Sequence, residues 1–353
     1  MKQFILRTHT IDSIPKPADL TAQLSRKLIG QPAAILAIVP YVQMHQASLA
    51  PEGRPVGVFL LLGPTGTGKT RTVEALAEAL HGNPKKVLKV DCGEYQMEHE
   101  VAKLIGAPPG YLGHRETQPL LNQQRLSAIA SEDCDLSVVL FDEIEKAAPS
   151  MTRLLLGVLD KGSLRLGDNT TVNFEKTLIF MTSNLGSRAM QRHLRPDFGF
   201  ETLAPRGNAR KCAAKLQSIG LAAVKRRFSP EFVNRVDAVV TYQPLDSGAL
   251  SRILDQQIED LQRHIDNRLG LRSFQLEVLD GTRRFLLKKG ASEEYGAREL
   301  KRTLHRLLTQ PLAALVSAGS IHPGGLIRVE CNASREKLRF RTGDERIEGR
   351  SAA

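Results

Sequence analysis

One eight-residue segment constrains the fold of this chain more than any other part of its sequence. Gly63-Pro-Thr-Gly-Thr-Gly-Lys-Thr70 fits the pattern GxxxxGK[ST], directly follows the apolar run Val56–Leu62 and precedes the amphipathic stretch Val73–Leu80. Glycines let backbone N–H groups converge on phosphate oxygens, and the start of the next helix adds positive potential there. The order of strand, loop and helix therefore indicates a phosphate-binding loop rather than a glycine-rich turn.

The side chains of this loop predict contacts with a nucleotide and a cation. We expect the Lys69 ammonium to reach the β and γ phosphates and the Thr70 hydroxyl to bind Mg²⁺. The predicted nucleotide-binding residues of the loop are Gly63, Pro64, Thr65, Gly66, Thr67, Gly68, Lys69 and Thr70.

Two adjacent acids form the predicted second half of the site. Asp142 and Glu143 directly follow the apolar run Leu136–Phe141. Asp142 suits Mg²⁺ coordination, and Glu143 suits polarisation of an attacking water. A solvated acidic turn at the end of a strand is the alternative, but the phosphate loop upstream favours the site. Glu143 also favours hydrolysis over a passive nucleotide switch.

The rhythm of apolar runs predicts the fold of the first two thirds of the chain. Short β-branched runs alternate with longer amphipathic stretches, which is typical of a parallel sheet covered by helices. Sheets of this kind carry their sites at the carboxyl ends of the strands. The predicted strands are Val56–Leu62, Val87–Asp91, Leu136–Phe141, Thr177–Met181 and Ala238–Tyr242.

The pattern changes after residue 243. Apolar residues recur at helical spacing over Leu250–Leu269 and Leu300–Leu312. Three further runs read as strands: Phe274–Leu279, Leu326–Val329 and Lys337–Arg341. We predict an N-terminal tail over 1–20, a large domain over 21–243, a smaller helical-plus-strand domain over 244–342 and a C-terminal tail over 343–353.

Composition excludes several classes of protein. The chain has 353 residues, and its 49 Lys and Arg against 38 Asp and Glu leave a net charge of +11, which permits polyanionic partners without identifying one. Its apolar runs are far shorter than the ~20 residues that span a bilayer, and its start does not fit a secretory signal. Four scattered cysteines without a CxxC argue against a disulfide scaffold or a zinc ribbon. We expect a reduced, cytoplasmic protein.

Eight segments follow one another along most of the chain: Leu28–Gln31, Asp91–Tyr95, Leu104–Gly113, Asp142–Ala147, Val158–Gly162, Met181–Ser187, Ser229–Arg235 and Tyr295–Arg302. In this order they resemble the motifs of the Clp ATPases of the AAA+ superfamily, and the chain resembles the second ATPase domain of ClpA, ClpB and ClpC over about Leu24 to Phe340. The resemblance implies a P-loop NTPase (AAA+) fold, in which helices sandwich a parallel sheet and a smaller C-terminal lid domain follows.

The resemblance also assigns residues to an ATP·Mg²⁺ site. Leu28 and Ile29 fall in the segment that cups the adenine, and Asn184 falls in the sensor-1 segment, where its amide would lie near the γ-phosphate or the attacking water. Arg298 falls in the sensor-2 helix, where it would report the phosphate state. The alternatives are a loop-capping Asn184 and a merely solvated Arg298.

Two segments carry the implied assembly and substrate contacts. Arg235 resembles an arginine finger that acts on the neighbouring subunit, which implies a homo-oligomeric ring, most simply a hexamer; a finger of this kind is worth ~10³–10⁵ in rate. Tyr111 and Leu112 resemble a pore loop that grips unfolded or tagged protein. A surface ion pair for Arg235 and a core position for Tyr111 are the alternatives.

Phe198-Gly199-Phe200 lies where ClpA and ClpC carry the loop that docks on the ClpP peptidase. A ClpP-like partner is therefore one interpretation, and a local hydrophobic anchor is the other.

Three functions compete. The predicted function is an ATP-hydrolysing unfoldase that threads proteins through a ring pore. The alternatives are an ATP-driven DNA motor or loader, which the net charge suggests, and an ATP-dependent assembly scaffold. The sequence has no long basic run interleaved with aromatics, which disfavours nucleic acid as a partner. Glu143 and Arg235 disfavour a scaffold that does not turn over.

Overall fold

The computed structural model describes residues 17–106, 119–194, 209–291, 296–332 and 337–343. The chain divides into two compact units, Met1–Gly63 with Gly68–Gln243 and Pro64–Thr67 with Pro244–Ala353. The larger unit is built on a parallel sheet, and the smaller unit combines helices with a three-stranded sheet. The fold class predicted from the sequence is confirmed.

Helices and strands alternate along the larger unit. Its helices are α1 (Pro17–Lys27), α2 (Pro32–Gln46), α3 (Lys69–His81), α4 (Ala102–Ile105), α5 (Gln123–Ile129), α6 (Pro149–Lys161), α7 (Ser187–Leu194), α8 (Ala209–Arg227) and α9 (Pro230–Asn234). Its strands are β1 (Gly57–Leu62), β2 (Leu88–Asp91), β3 (Ser137–Asp142), β4 (Ser163–Arg165), β5 (Thr171–Asn173), β6 (Thr177–Ser183) and β7 (Ala238–Thr241). The five strands predicted here are confirmed, with ends shifted by one or two residues.

The order of the main sheet brings three strand ends together. The order is β2-β3-β6-β1-β7, and each neighbouring pair is parallel. β6 therefore lies between β1 and β3, with Leu62 opposite Ser183 and Phe141 opposite Met181. The segments that leave the carboxyl ends of these strands share one edge of the sheet.

Helices cover both faces of this sheet. All of β1 is buried, and its residues alternate between two hydrophobic cores, with Val58 and Leu60 in one and Phe59 and Leu61 in the other. α6 and α8 contribute to the first core, and α1, α2 and α3 to the second. A strand buried on both faces reads as a continuous apolar run, which is the pattern of β1 in the sequence.

α1 begins inside the segment that the sequence predicts as a tail. The helix starts at Pro17, and Leu20 is fully buried in the core that α2 and α3 share. Proline suits the first helical position, and Leu20, Leu24 and Leu28 form an apolar stripe at helical spacing. Residues 17–20 therefore belong to the larger unit rather than to a tail.

The smaller unit has its own core. Its helices are α10 (Ser247–Leu269), α11 (Asp280–Gly290), α12 (Gly296–Leu304) and α13 (Gln310–Ser317), with a π-helical turn over His305–Thr309. Its strands are β8 (Gln275–Val278), β9 (Leu326–Asn332) and β10 (Lys337–Gly343), with β9 in the middle, parallel to β8 and antiparallel to β10. Both predicted apolar stripes supply core residues, among them Leu254 and Leu300.

Candidate functional site

The phosphate loop leaves β1 and ends where α3 begins. Gly63 has a φ of +146°, and a Cβ added there would lie 2.7 Å from the carbonyl oxygen of Tyr242. Gly68 has a φ of +103° and precedes α3, whose first turn carries no acidic residue and no side-chain cap. A helix start without a neighbouring carboxylate suits a phosphate group, because no negative side chain repels the phosphate there.

Lys69 connects the loop to the end of β6. Its ammonium is nearly buried and donates to the carbonyl of Gly63 at 2.7 Å and to Oδ1 of Asn184 at 2.9 Å. Two residues that the sequence assigns to one nucleotide site, 115 positions apart, are thus in direct contact.

The carboxylate of Asp142 has a partner on each oxygen. The buried hydroxyl of Thr182 donates to Oδ1, and the Lys89 ammonium lies 2.8 Å from Oδ2. Burial lowers the pKa of Lys89, but the hydrogen bond and the charge of Asp142 outweigh it, so the pKa is raised overall. Lys89 therefore stays protonated beside Asp142.

Glu143 has an uncommon backbone conformation. Its φ of 56° and ψ of 49° are left-handed, and its N–H donates to the Thr182 hydroxyl at 3.0 Å. A residue other than glycine in this region costs about 1–3 kcal/mol, and such residues cluster at functional sites. The turn aims the Glu143 side chain toward Asn184, whose Nδ2 lies at a long 3.4 Å from Oε1.

Further contacts hold this acidic turn. The Lys146 ammonium lies 2.5 Å from Oε2 of Glu143, and that ion pair raises the pKa of Lys146. Glu145 accepts from the backbone N–H of Asn184 at 3.0 Å, while its carbonyl accepts two bonds from the Arg227 guanidinium on α8. The ends of β3 and β6 are thereby connected to each other and to α8.

The predicted adenine segment is connected to the end of β7. Leu28 is buried, and Ile29 is half-buried. The side chain of Gln31 makes two bonds with the backbone of Gln243, donating at 2.8 Å and accepting at 3.3 Å. Next to it, the buried Tyr242 hydroxyl donates to Thr72 of α3 at 2.7 Å. Residues 242 and 243 thus fix both this segment and α3.

Arg235 ends α9 and contacts acids of its own chain. Its Nε lies 3.2 Å from Oδ1 of Asp160 on α6, an ion pair without hydrogen-bond geometry, and its Nη1 lies 3.2 Å from Oε1 of Glu231. The side chain is 25% exposed. In the smaller unit, Arg298 is exposed on α12, on the side away from the buried Leu300.

Two sets of predicted residues lie outside the described part of the chain. They are Tyr111 with Leu112, and Phe198-Gly199-Phe200.

The described residues suit Mg²⁺ only together with a nucleotide. Nowhere in the described ranges do three His, Cys, Asp or Glu side chains form a group that could hold a metal ion. Mg²⁺ in nucleotide sites needs one or two protein oxygens, because phosphates and waters supply the others. Asp142 and the half-buried Thr70 are donors of that kind.

Sequence reasoning missed Lys89, Thr182 and Lys146. Thr182 precedes the predicted residue Asn184 by two positions, and Lys89 precedes Asp91, the first residue of one of the resembling segments, by two, so period-two alternation puts each pair on one face. Lys146 follows Glu143 by three positions, within reach across a single turn. The alternation could have marked Lys89 and Thr182 as candidates. The sequence does not show which strand lies beside each of them, so it could not have given their contacts.

Two families match the chain. The AAA domain family (Cdc48 subfamily) matches residues 54–239, more than half of the chain, and the C-terminal D2-small domain of ClpB matches residues 245–329. This chain belongs to the AAA family. Its two matched parts are those of the second ATPase domain of a Clp ATPase, as the sequence resemblance indicates.

Individual proteins similar to this chain are ClpB chaperones, which agrees with the family matches. The chaperone protein ClpB of Mycobacterium tuberculosis is 36% identical over 316 residues, which cover 90% of this chain and 33% of that protein. ClpB of Rhizobium meliloti is 37% identical over 321 residues, 91% of this chain and 34% of that protein. The chain thus spans about a third of the length of these relatives.

A solved structure has the same fold. A chain from a closed-state cryo-EM reconstruction of Hsp104 with ATPγS and FITC casein superposes with a TM-score of 0.75 at 27% identity, covering 93% of this chain and 52% of that one. Among the described residues of the AAA protein, no helix has the length and apolarity to cross a membrane.

Gly63→Ala tests the shape of the loop. We expect it to weaken ATP binding at least tenfold, because the new Cβ meets the Tyr242 carbonyl and the backbone conformation costs about 1–3 kcal/mol in a residue with a side chain. Nucleotide titration followed by fluorescence measures the affinity. Gly157→Ala is the matched control, since a Cβ there meets nothing within 4 Å in the middle of α6. Equal affinities for the two variants would contradict the proposed constraint.

Proposed function

We propose that this chain binds and hydrolyses ATP as the motor domain of a Clp-type unfoldase, which threads protein substrates through the pore of a ring. The observation that carries the proposal is the contact between Lys69 and Asn184 beside Glu143. A phosphate-binding cation, a neutral amide donor and a carboxylate meet at the edge of the sheet where β1, β3 and β6 end. Hydrolysis of a nucleoside triphosphate requires these three kinds of group.

Each side chain has a task in the proposed reaction. Lys69 exchanges the Gly63 carbonyl for phosphate oxygens and stabilises their charge. Asn184 donates its amide hydrogen to the γ-phosphate or to the attacking water. Glu143 accepts a hydrogen bond from that water and takes its proton as the water oxygen bonds to the γ-phosphorus and the bond from that phosphorus to the bridging oxygen breaks, which leaves ADP and phosphate. Thr70 and Asp142 hold Mg²⁺, which when bound neutralises charge on the β and γ phosphates.

The relatives support a protein substrate. The curated relatives at 36–37% identity are chaperones, and the structural neighbour was reconstructed with casein. We therefore infer that unfolded or tagged protein is the substrate and that Tyr111 and Leu112 grip it. The +11 charge alone does not favour DNA over this interpretation, because polyanionic nucleotide already accounts for part of a basic balance.

We further propose that Arg235 acts on the nucleotide of a neighbouring subunit in a homo-oligomeric ring, most simply a hexamer. Its contacts in the described residues are with Asp160 and Glu231, not with the phosphate loop. The Arg235 guanidinium does not contact the phosphate loop of its own chain. It can therefore contact the nucleotide of a neighbouring subunit once the exposed acids Asp160 and Glu231 release it. A ClpP-like peptidase at Phe198-Gly199-Phe200, a sensor role for Arg298 and a cytoplasmic location stay predictions from the sequence.

Glu143→Gln separates hydrolysis from binding. We expect turnover to fall by ~10²–10⁴-fold, since glutamine cannot take the proton from water, while the affinity for ATP stays within about twofold. Steady-state phosphate release and nucleotide titration measure the two quantities. Glu52→Gln, at an exposed position, is the control for loss of a carboxylate. Normal turnover in Glu143→Gln would remove Glu143 from its proposed role.

Tyr111→Ala tests the protein substrate. We expect unfolded casein to stimulate the ATPase rate of the wild type severalfold and to lose that effect in the variant, whose basal rate stays unchanged because Tyr111 is assigned to substrate rather than to nucleotide. Tyr41→Phe is the control, since Tyr41 packs edge-to-face against Phe59 in the core that α1, α2 and α3 share. An active ATPase that casein does not stimulate would contradict the substrate proposal, and stimulation by DNA would favour the motor alternative.

Mixing two inactive variants tests the role of Arg235 in trans. Arg235→Ala lacks the finger, and Lys69→Ala lacks its own phosphate contact. If Arg235 acts on a neighbour, a mixed ring contains pairs in which an intact Arg235 faces an intact loop. We expect the mixture to hydrolyse ATP well above the sum of the separate variants. A mixture that stays at that sum, while size measurements report mixed oligomers, would place Arg235 in its own site or in a structural role.

A further inference from the structure

Asp142, the acid proposed to bind Mg²⁺, is in contact with a cation of its own chain, the ammonium of Lys89. Lys89 extends from β2, the edge strand next to β3, and its ammonium lies 2.8 Å from Oδ2 of Asp142. Pairing of the strands sets Lys89 opposite Leu140 and Asp91 opposite Asp142, so the lysine reaches forward along the neighbouring strand to the carboxylate. No nucleotide-binding pattern in the sequence accounts for this contact.

The two partners of Asp142 differ in how freely they can leave. Thr182 is 1% exposed and also accepts from the backbone of Glu143, so its position is fixed from two sides. The side chain of Lys89 is 50% exposed, against 19% for Asp142. An ammonium on the solvent side is rehydrated when it moves away, so the cost of displacing it lies mainly at the carboxylate of Asp142, which an incoming cation can pair with.

We propose that Lys89 is the resident counter-cation of Asp142, which neutralises this carboxylate before Mg²⁺ binds and competes with Mg²⁺ for it. The inference rests on the proposed function, since it concerns the same nucleotide site. Lys89 thereby sets how strongly ATP binding depends on Mg²⁺.

Two effects of removing Lys89 act in the same direction. Without Mg²⁺, the bare carboxylate of Asp142 repels the triphosphate, so ATP binding weakens. With Mg²⁺, the carboxylate no longer has a competing ammonium, so metal-dependent binding is retained or strengthened. The ratio of the ATP affinity in Mg²⁺ to the affinity in EDTA therefore rises. A purely structural lysine would, when removed, change both affinities alike and leave the ratio unchanged.

The experiment measures ATP affinity by fluorescence titration of the full chain in EDTA and in excess Mg²⁺. We expect the ratio to rise by about three- to fivefold in Lys89→Gln, which matches the upper part of the range measured for partly exposed ion pairs. Lys89→Arg keeps the charge and should keep the ratio within about twofold of wild type. Lys176→Gln is the matched control, because Lys176 pairs with Asp135 at the same close range, 2.7 Å, with its side chain 69% exposed.

Each outcome decides the proposal. A raised ratio in Lys89→Gln but not in Lys89→Arg or Lys176→Gln supports it. An unchanged ratio, including equal weakening in both buffers, overturns it and leaves Lys89 a structural role. A ratio that rises equally in Lys176→Gln overturns it too, since the effect would then be one of net charge. A wild type that binds no ATP even with Mg²⁺ would overturn the proposed function, and this inference with it.

Discussion

The position of β6 between β1 and β3 is the constraint on which the site depends. β1 leads into the phosphate loop, β3 ends in Asp142, and β6 ends just before Asn184. Because all three run in the same direction, these residues leave one edge of the sheet together. Antiparallel placement of any one strand would move its functional residue to the opposite edge. The buried runs of both cores enforce the arrangement, since each central strand is covered on both faces.

Three charged groups of the site have partners within the chain before any ligand binds. Lys69 contacts a carbonyl and an amide oxygen, Asp142 contacts Lys89, and Glu143 contacts Lys146. Without these partners, the adjacent carboxylates of Asp142 and Glu143 would repel each other at this edge of the sheet and destabilise the empty site. Under the proposed function, nucleotide binding is an exchange of these partners, and the exposed ones, Lys89 and Lys146, are the easiest to release.

Arg235 follows the same pattern farther along the chain. Asp160 and Glu231 contact its guanidinium from α6 and α9. Under the proposed role in trans, these acids hold the side chain until a neighbouring subunit supplies a more strongly charged partner. Glu143 differs from Arg235, because a left-handed backbone conformation as well as an ion pair, to Lys146, sets the direction of its side chain.

Local sequence by itself determined the elements and the residue types of the site. The glycine loop and the paired acids each follow an apolar run, so the spacing of apolar residues was enough to find them, and the resemblance to a family added Asn184. The five strands of the larger unit were predicted to within two residues. The start of α1 was missed because Pro15 and Pro17 read as breakers, although proline also begins helices. Only the tertiary structure decided that Lys89 meets Asp142, that Thr182 bonds the acidic turn and that Asp160 meets Arg235. These contacts depend on strand order and helix packing, which arise from burial of the whole core and leave no mark in the spacing of residues along the chain.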